Sequence, residues 1–214
     1  MDTLPIELWL DIVPHIPYTP SSLTPLRLVN SKLNTLISTH EHTLVRTIKT
    51  QPPLNRSIAL YPDLRLHTYV HLNMLQHRSS TLHSLSRTLE QITATEPELK
   101  WLTGRYASIH CAGLHLLYRL QDAGCYICRV ELLQALPGTS LACLLFALVA
   151  AIHVLRIRGP EPIRATYGKG DASVRSDVEL ALEEVMLERG PGFFLNLLSA
   201  TTSDGYGKAK DAVR

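Results

Sequence analysis

Apolar positions in the first fifty residues come in short bursts cut by proline, and beyond them in long runs with helical spacing. Leu4 to about Val13 reads as a first short helix, with Pro5 pre-set for its opening turn and Glu7 favourable near the positive end of its dipole. Pro14 to Ser22 is a connection. A second helical run starts near Thr24-Pro25 with Leu23, Leu26, Leu28 and Val29 apolar, and a third continues through Leu33, Leu36, Ile37, Leu44, Val45 and Ile48 until Gln51-Pro52-Pro53 stops it.

After that break Asp63 is a good N-cap for a helix of about seven turns carrying Leu75, Leu82, Leu85, Leu89 and Ile92, with Arg78 interrupting its apolar register. Thr95-Glu96-Pro97-Glu98 is a capping-box sequence, and it opens a helix whose seam would be Leu99, Leu102, Tyr106, Ile109, Gly113, Leu116 and Leu120. Glycine in that seam implies close helix approach. Asp122-Ala123-Gly124 ends it, Cys128 to Leu136 makes a shorter helix, and Pro137-Gly138 closes that one. The run Ser140 to Ile157 is apolar all round, which places it in the middle of a bundle; its purest stretch, Leu141 to Leu155, is short for a membrane span. Residues 159–170 form a Pro/Gly loop. The next helix sets Val174, Val178, Ala181, Val185 and Met186 inward against Glu179, Glu183, Glu184 and Glu188 outward, and Gly190-Pro191-Gly192 separates it from Phe193 to Leu198. The pattern contains no convincing strand and no internal repeat, so the fold class expected is all-α.

Composition narrows the function. With 214 residues, 45% hydrophobic and 19% charged, the chain can build a real core without disulfides or a structural metal. The balance of 21 Lys+Arg against 19 Asp+Glu leaves no electrostatic footprint for nucleic acid. The N-terminus lacks the basic and apolar regions of a signal peptide, so reduced structural thiols in a cytoplasmic or nuclear protein are expected. Cys125-Tyr126-Ile127-Cys128 has the ligand spacing of zinc and of redox dithiols, with His110, Cys111 and His115 upstream, but lacks a second pair at the standard separation. His67 and His71 sit four apart without the HExxH arrangement, Gly168-Lys169-Gly170-Asp171 lacks the remainder of a phosphate loop, and no nucleophile elbow is present. No catalytic residue, metal site or cofactor is assigned.

The segment LPIELWLDIV (Leu4–Val13), followed by LTPLRLVNSKLNTLI (Leu23–Ile37), resembles an F-box: LPxEL at a helix start, then a Leu-rich turn, a small and a basic residue, and a closing Leu-Ile. Leu33 stands where the motif usually has Trp or Phe, and the connection between the two parts runs about two residues longer than the common form. The rest of the chain is similar to short fungal F-box proteins with an uncharacterised helical C-terminal region. By that resemblance Leu4, Pro5, Glu7, Leu8, Ile12, Leu23, Leu26, Leu28 and Val29 would face a Skp-type adaptor, with Glu7 or Lys32 at the polar rim. Three short helices bury too little to stand alone, so Leu8, Ile12, Leu26, Val29, Leu33 and Leu36 require cover from the following domain or from a partner.

The expected layout is a three-helix F-box-like module at residues 1–50, a helical bundle at 51–200 facing an unknown target protein, and a flexible tail at 201–214. The function the resemblance implies is that of substrate receptor in a cullin-RING ubiquitin ligase, without chemistry of its own. A helical scaffold with no ubiquitin role, or a metal- or small-ligand-binding protein using the cysteines and histidines, are the alternatives.

Overall fold

The structure is a computed structural model, and it describes residues 5–16, 20–50, 58–62, 64, 66–158 and 177–200. Every regular element in it is helical, so the protein is all-α. Leu4, Gln51-Pro52-Pro53, the cap assigned to Asp63, the loop 159–170 with its GKGD sequence, Val174 and the tail lie outside the described residues. The chain divides into two compact units, Met1–Ser80 and Thr81–Arg214. The N-terminal unit thus extends well past the residue 50 boundary read from the proline pair.

In the first unit α1 (Ile6–Ile12) runs into a 3-10 turn at Val13–His15, and α2 (Pro20–Val29), α3 (Ser31–Thr39) and α4 (Glu41–Lys49) follow. Among the described residues up to Thr50 there are therefore four α-helices where three were expected. The run from Leu33 to Ile48 breaks at His40 (φ −102°, ψ 16°), where Ser38-Thr39 weakens the helix and Glu41 suits the first turn of a new one. Asn30 caps α3, its Oδ1 accepting from the Lys32 N–H at 2.9 Å. Val13, Leu33, Ile37, Leu44, Val45 and Ile48 form the core of this unit with Tyr69 and Leu72. Those last two residues explain the longer unit, since they open α5 (Tyr69–Thr95). The helix starts later than Asp63 would have it, and the orphan N–H of Tyr69 is satisfied from across the unit by Glu41 Oε1 at 2.7 Å.

In the second unit the stretch from Thr95 is not one helix. A 3-10 segment at Pro97–Leu102 is separated from α6 (Arg105–Asp122) by Gly104 at φ 76°, a backbone state that favours glycine. The break rotates the seam: His110, Gly113, Leu114, Leu117, Tyr118 and Leu120 are buried, while Ile109 is exposed and Leu116 is only half-buried. After α7 (Tyr126–Ala135) comes α8 (Gly138–Arg158), longer at both ends than its apolar centre because Arg156 and Arg158 suit a helix C-terminus. Its length and composition are sufficient to cross a membrane. It packs chiefly against α6. Gly113 marks the point of closest approach, where an added Cβ would overlap the Cys143 carbonyl oxygen and lie 2.6 Å from Ala147 Cβ. Trp101 meets Phe146 edge-on at 5.5 Å, and Tyr106 stacks on the same ring at 5.9 Å. Leu144, Ala147, Ala150, Ala151 and Leu155 are buried, but Leu141, Leu145 and Val149 form an exposed stripe, so α8 is not enclosed on all sides.

Helices α9 (Asp177–Arg189) and α10 (Pro191–Ala200) complete the unit. Glu179, read from the sequence as outward, is 2% exposed. Arg156 reaches it from α8 with a bidentate guanidinium–carboxylate pair, its Nη2 donating to Oε2 at 2.8 Å and its Nε to Oε1. Two residues on, Arg158 pairs with Glu96 at 2.6 Å and donates to Thr95 Oγ1 at 2.9 Å.

Candidate functional site

The sequence placed its binding residues on the first two helices, and the structure sorts them by face. Trp9 and Leu10 pack partly on the core of the first unit and Val13 is buried in it. Pro5 and Glu7 are exposed, and Leu8 and Ile12, one helical turn apart, retain 45% and 43% of their surface. At the end of α2, Leu26 is half-buried against the core, while Leu28 and Val29 stand 80% and 75% exposed. Lys32 is exposed at the start of α3. Leu23 lies in α2, but its side chain and all of Leu4 are outside the described set.

Of the six apolar residues that need cover, Leu33 and Leu36 find it, at 6% and 8% exposure, and Leu26 finds part of it. Leu8, Ile12 and Val29 do not. Three of these residues therefore serve the unit's own packing, and the other three, with Leu28, are left uncovered by the described residues. A soluble chain leaves single apolar residues exposed without consequence. Four of them on two short helices, two at a helix end, are exposed apolar positions, and Glu7, Asp11 and Lys32 are exposed close to them in sequence.

A second candidate lies in the Thr81–Arg214 unit, a half-open cavity of about 150 Å³ with Leu82, Leu89, Leu102 and Leu114 as apolar walls and Ser86, Glu90, Thr103, His110 and Cys111 as polar ones. Burial drives the His110 imidazole down to about 4, so at neutral pH it is uncharged. The same effect pushes the Cys111 thiol up and lowers His115. A neutral imidazole beside a protonated thiol is not the ion pair that activates a cysteine nucleophile. Neither residue type was hidden in the sequence. What it could not show is that His110 turns inward while Cys111 stays at the rim.

The remaining motif residues do not converge. The His67 N–H donates to His71 Nδ1 at 3.4 Å, Thr68 Oγ1 lies 3.0 Å from the same nitrogen, and His67 stacks on His42, so these rings cap and pad the start of α5. Cys125 and Cys128 are joined in a disulfide and are exposed, which corrects the expectation of reduced structural thiols at this pair. Among the described residues no group of three or more His, Cys, Asp or Glu side chains is placed to hold a metal ion. Comparison of the chain with family models, with curated proteins and with solved structures found no match in any of the three.

Proposed function

We propose that the chain is an F-box-type substrate receptor, binding a Skp-type adaptor through α1 and α2 and a target protein through its C-terminal unit. The observation that carries this is the outward set Leu8, Ile12, Leu28 and Val29. These positions come from the LPxEL and LRLV segments that resemble the F-box motif. Covering two nearly free and two half-exposed aliphatic side chains would contribute about 5 kcal/mol before the costs of association. Association itself costs about 4–15 kcal/mol, so these four residues would act as anchors within a larger interface. The role would be to hold a target near a charged conjugating enzyme, so its contribution to rate is proximity.

Co-expression with a Skp-type adaptor, followed by size-exclusion chromatography, tests this. A stoichiometric complex that is lost in Leu28→Asp supports it. Because Leu28 is 80% exposed, that substitution leaves the core intact, and circular dichroism of the variant should match the parent. A parent chain that elutes apart from free adaptor would overturn the proposal and turn attention to the cavity beside His110.

A further inference from the structure

The segment Gly124–Ala135 stands apart from the rest of the second unit. Helix α7 has no buried residue, and Tyr126 and Ile127, between the two cysteines, are 80% and 68% exposed. Cys125 is its N-cap, with extended backbone (φ −118°, ψ 154°), and its Sγ accepts the Cys128 N–H at 3.1 Å. Cys128 sits in the first turn. The two Cα atoms are 5.3 Å apart, within the range a disulfide spans.

We propose that Cys125 and Cys128 form a reversible thiol–disulfide exchange site, with Cys125 as the attacking sulfur and a disulfide of a small thiol or a peptide as substrate. The two sulfurs are not equivalent. Negative charge on Cys125 is stabilised by the N–H donated to it and by the positive end of the α7 dipole. Cys125 is exposed among the described residues, so an incoming disulfide can reach it. The exposed Tyr126 and Ile127 flank the sulfurs with apolar surface on which the substrate can rest. Cys111 and Cys143 offer no comparable setting: the Cys111 thiol is pushed up by the cavity wall, and Cys143 is half-buried on α8 where it meets α6.

The reaction balances on its own. In the dithiol form the Cys125 thiolate attacks one sulfur of R–S–S–R, forming a mixed disulfide and expelling R–S⁻, which takes a proton from solvent. The Cys128 thiolate then attacks Cys125 Sγ, closing the protein disulfide and releasing the second R–S⁻. Two protein thiols are oxidised and one substrate disulfide is reduced to two thiols. A reducing compartment keeps the pair open and reactive, so the site does not require an extracellular location.

The test uses the full chain, reduced and then freed of reductant, in Cys128→Ser and Cys125→Ser forms. Since both cysteines are exposed and α7 has no fully buried residue, both variants are expected to fold, with circular dichroism matching the parent. With oxidised glutathione, Cys125 in the first variant should form its adduct at least about threefold faster than Cys128 in the second or Cys111 in either, because the Cys128 N–H and the positive end of α7 favour its thiolate. A parallel arm with a disulfide-bonded peptide assigns the source: whichever substrate the dithiol parent reduces faster is its class. Equal adduct rates at Cys125, Cys128 and Cys111, or a pair that purifies with stoichiometric zinc, would overturn the proposal.

Discussion

Replacing Gly113 by alanine should lower the stability of the C-terminal unit even though alanine is the better helix former. A Cβ at Gly113 would lie 2.6 Å from Ala147 Cβ and would overlap the carbonyl oxygen of Cys143. Carbon pairs rest at about 3.5 Å or more, so α6 and α8 would have to part by about 1 Å. A gap of that size forfeits roughly a quarter to a half of each dispersion contact along the seam. Overpacking of this kind costs about 1–3 kcal/mol, and here the upper end applies because a backbone carbonyl cannot rotate away. Against it stands a gain of about 1 kcal/mol in helix propensity. The net loss is then about 2 kcal/mol, read as a fall of about 5 °C in the midpoint of thermal unfolding followed by far-UV circular dichroism. Gly192→Ala is the matched control, since its Cβ would meet nothing within 4 Å, and it should be neutral or stabilising by up to about 1 kcal/mol. A Gly113→Ala chain as stable as the parent would refute the close contact between α6 and α8.

Three further outcomes are expected. Glu41→Ala removes the carboxylate that caps Tyr69 and should cost about 1 kcal/mol in urea unfolding of the first unit, with Glu41→Gln recovering part of it. Arg156→Ala leaves Glu179 buried without the guanidinium it pairs with and should cost about 3–5 kcal/mol, whereas joint replacement of the pair by Met and Leu should cost far less. His110 is held neutral when folded, at about 4, against 6.5 when unfolded, so the unfolded state takes the proton first as the pH falls. The stability tied to this residue is complete above pH 6.5 and is lost progressively towards pH 4, by about 3 kcal/mol, and His110→Leu should flatten that part of the profile.

Much of this architecture was legible in the chain because local signals and packing agree. The apolar spacing from Leu75 to Leu89 gave α5, Pro137-Gly138 separated α7 from α8, and glycine in the α6 seam announced the close helix contact that Gly113 makes. Two of the misses depended on a partner distant in sequence. Glu179 looks like a solvated position on an amphipathic helix until Arg156 arrives from α8. Tyr69 needs no local cap because Glu41 supplies one from α4. A positive φ at Gly104 cannot be read from a capping-box sequence seven residues upstream, and that turn moved the buried face from Ile109 and Leu116 to His110, Leu114 and Leu117. At the candidate site, the motif named the positions. Only the fold could divide them into Leu33 and Leu36, spent on the core, and Leu8, Ile12, Leu28 and Val29, left outside it.

The most direct test of the adaptor-binding role is amide hydrogen exchange of the chain with and without a purified Skp-type adaptor. The account predicts new protection concentrated in Ile6–Ile12 and Pro20–Val29, with Leu28→Asp weakening binding by more than about 100-fold, since an anchor worth about 2 kcal/mol is lost and a charge must be desolvated. No protection at adaptor concentrations of about 100 μM, or protection confined to residues of the Thr81–Arg214 unit, would contradict it.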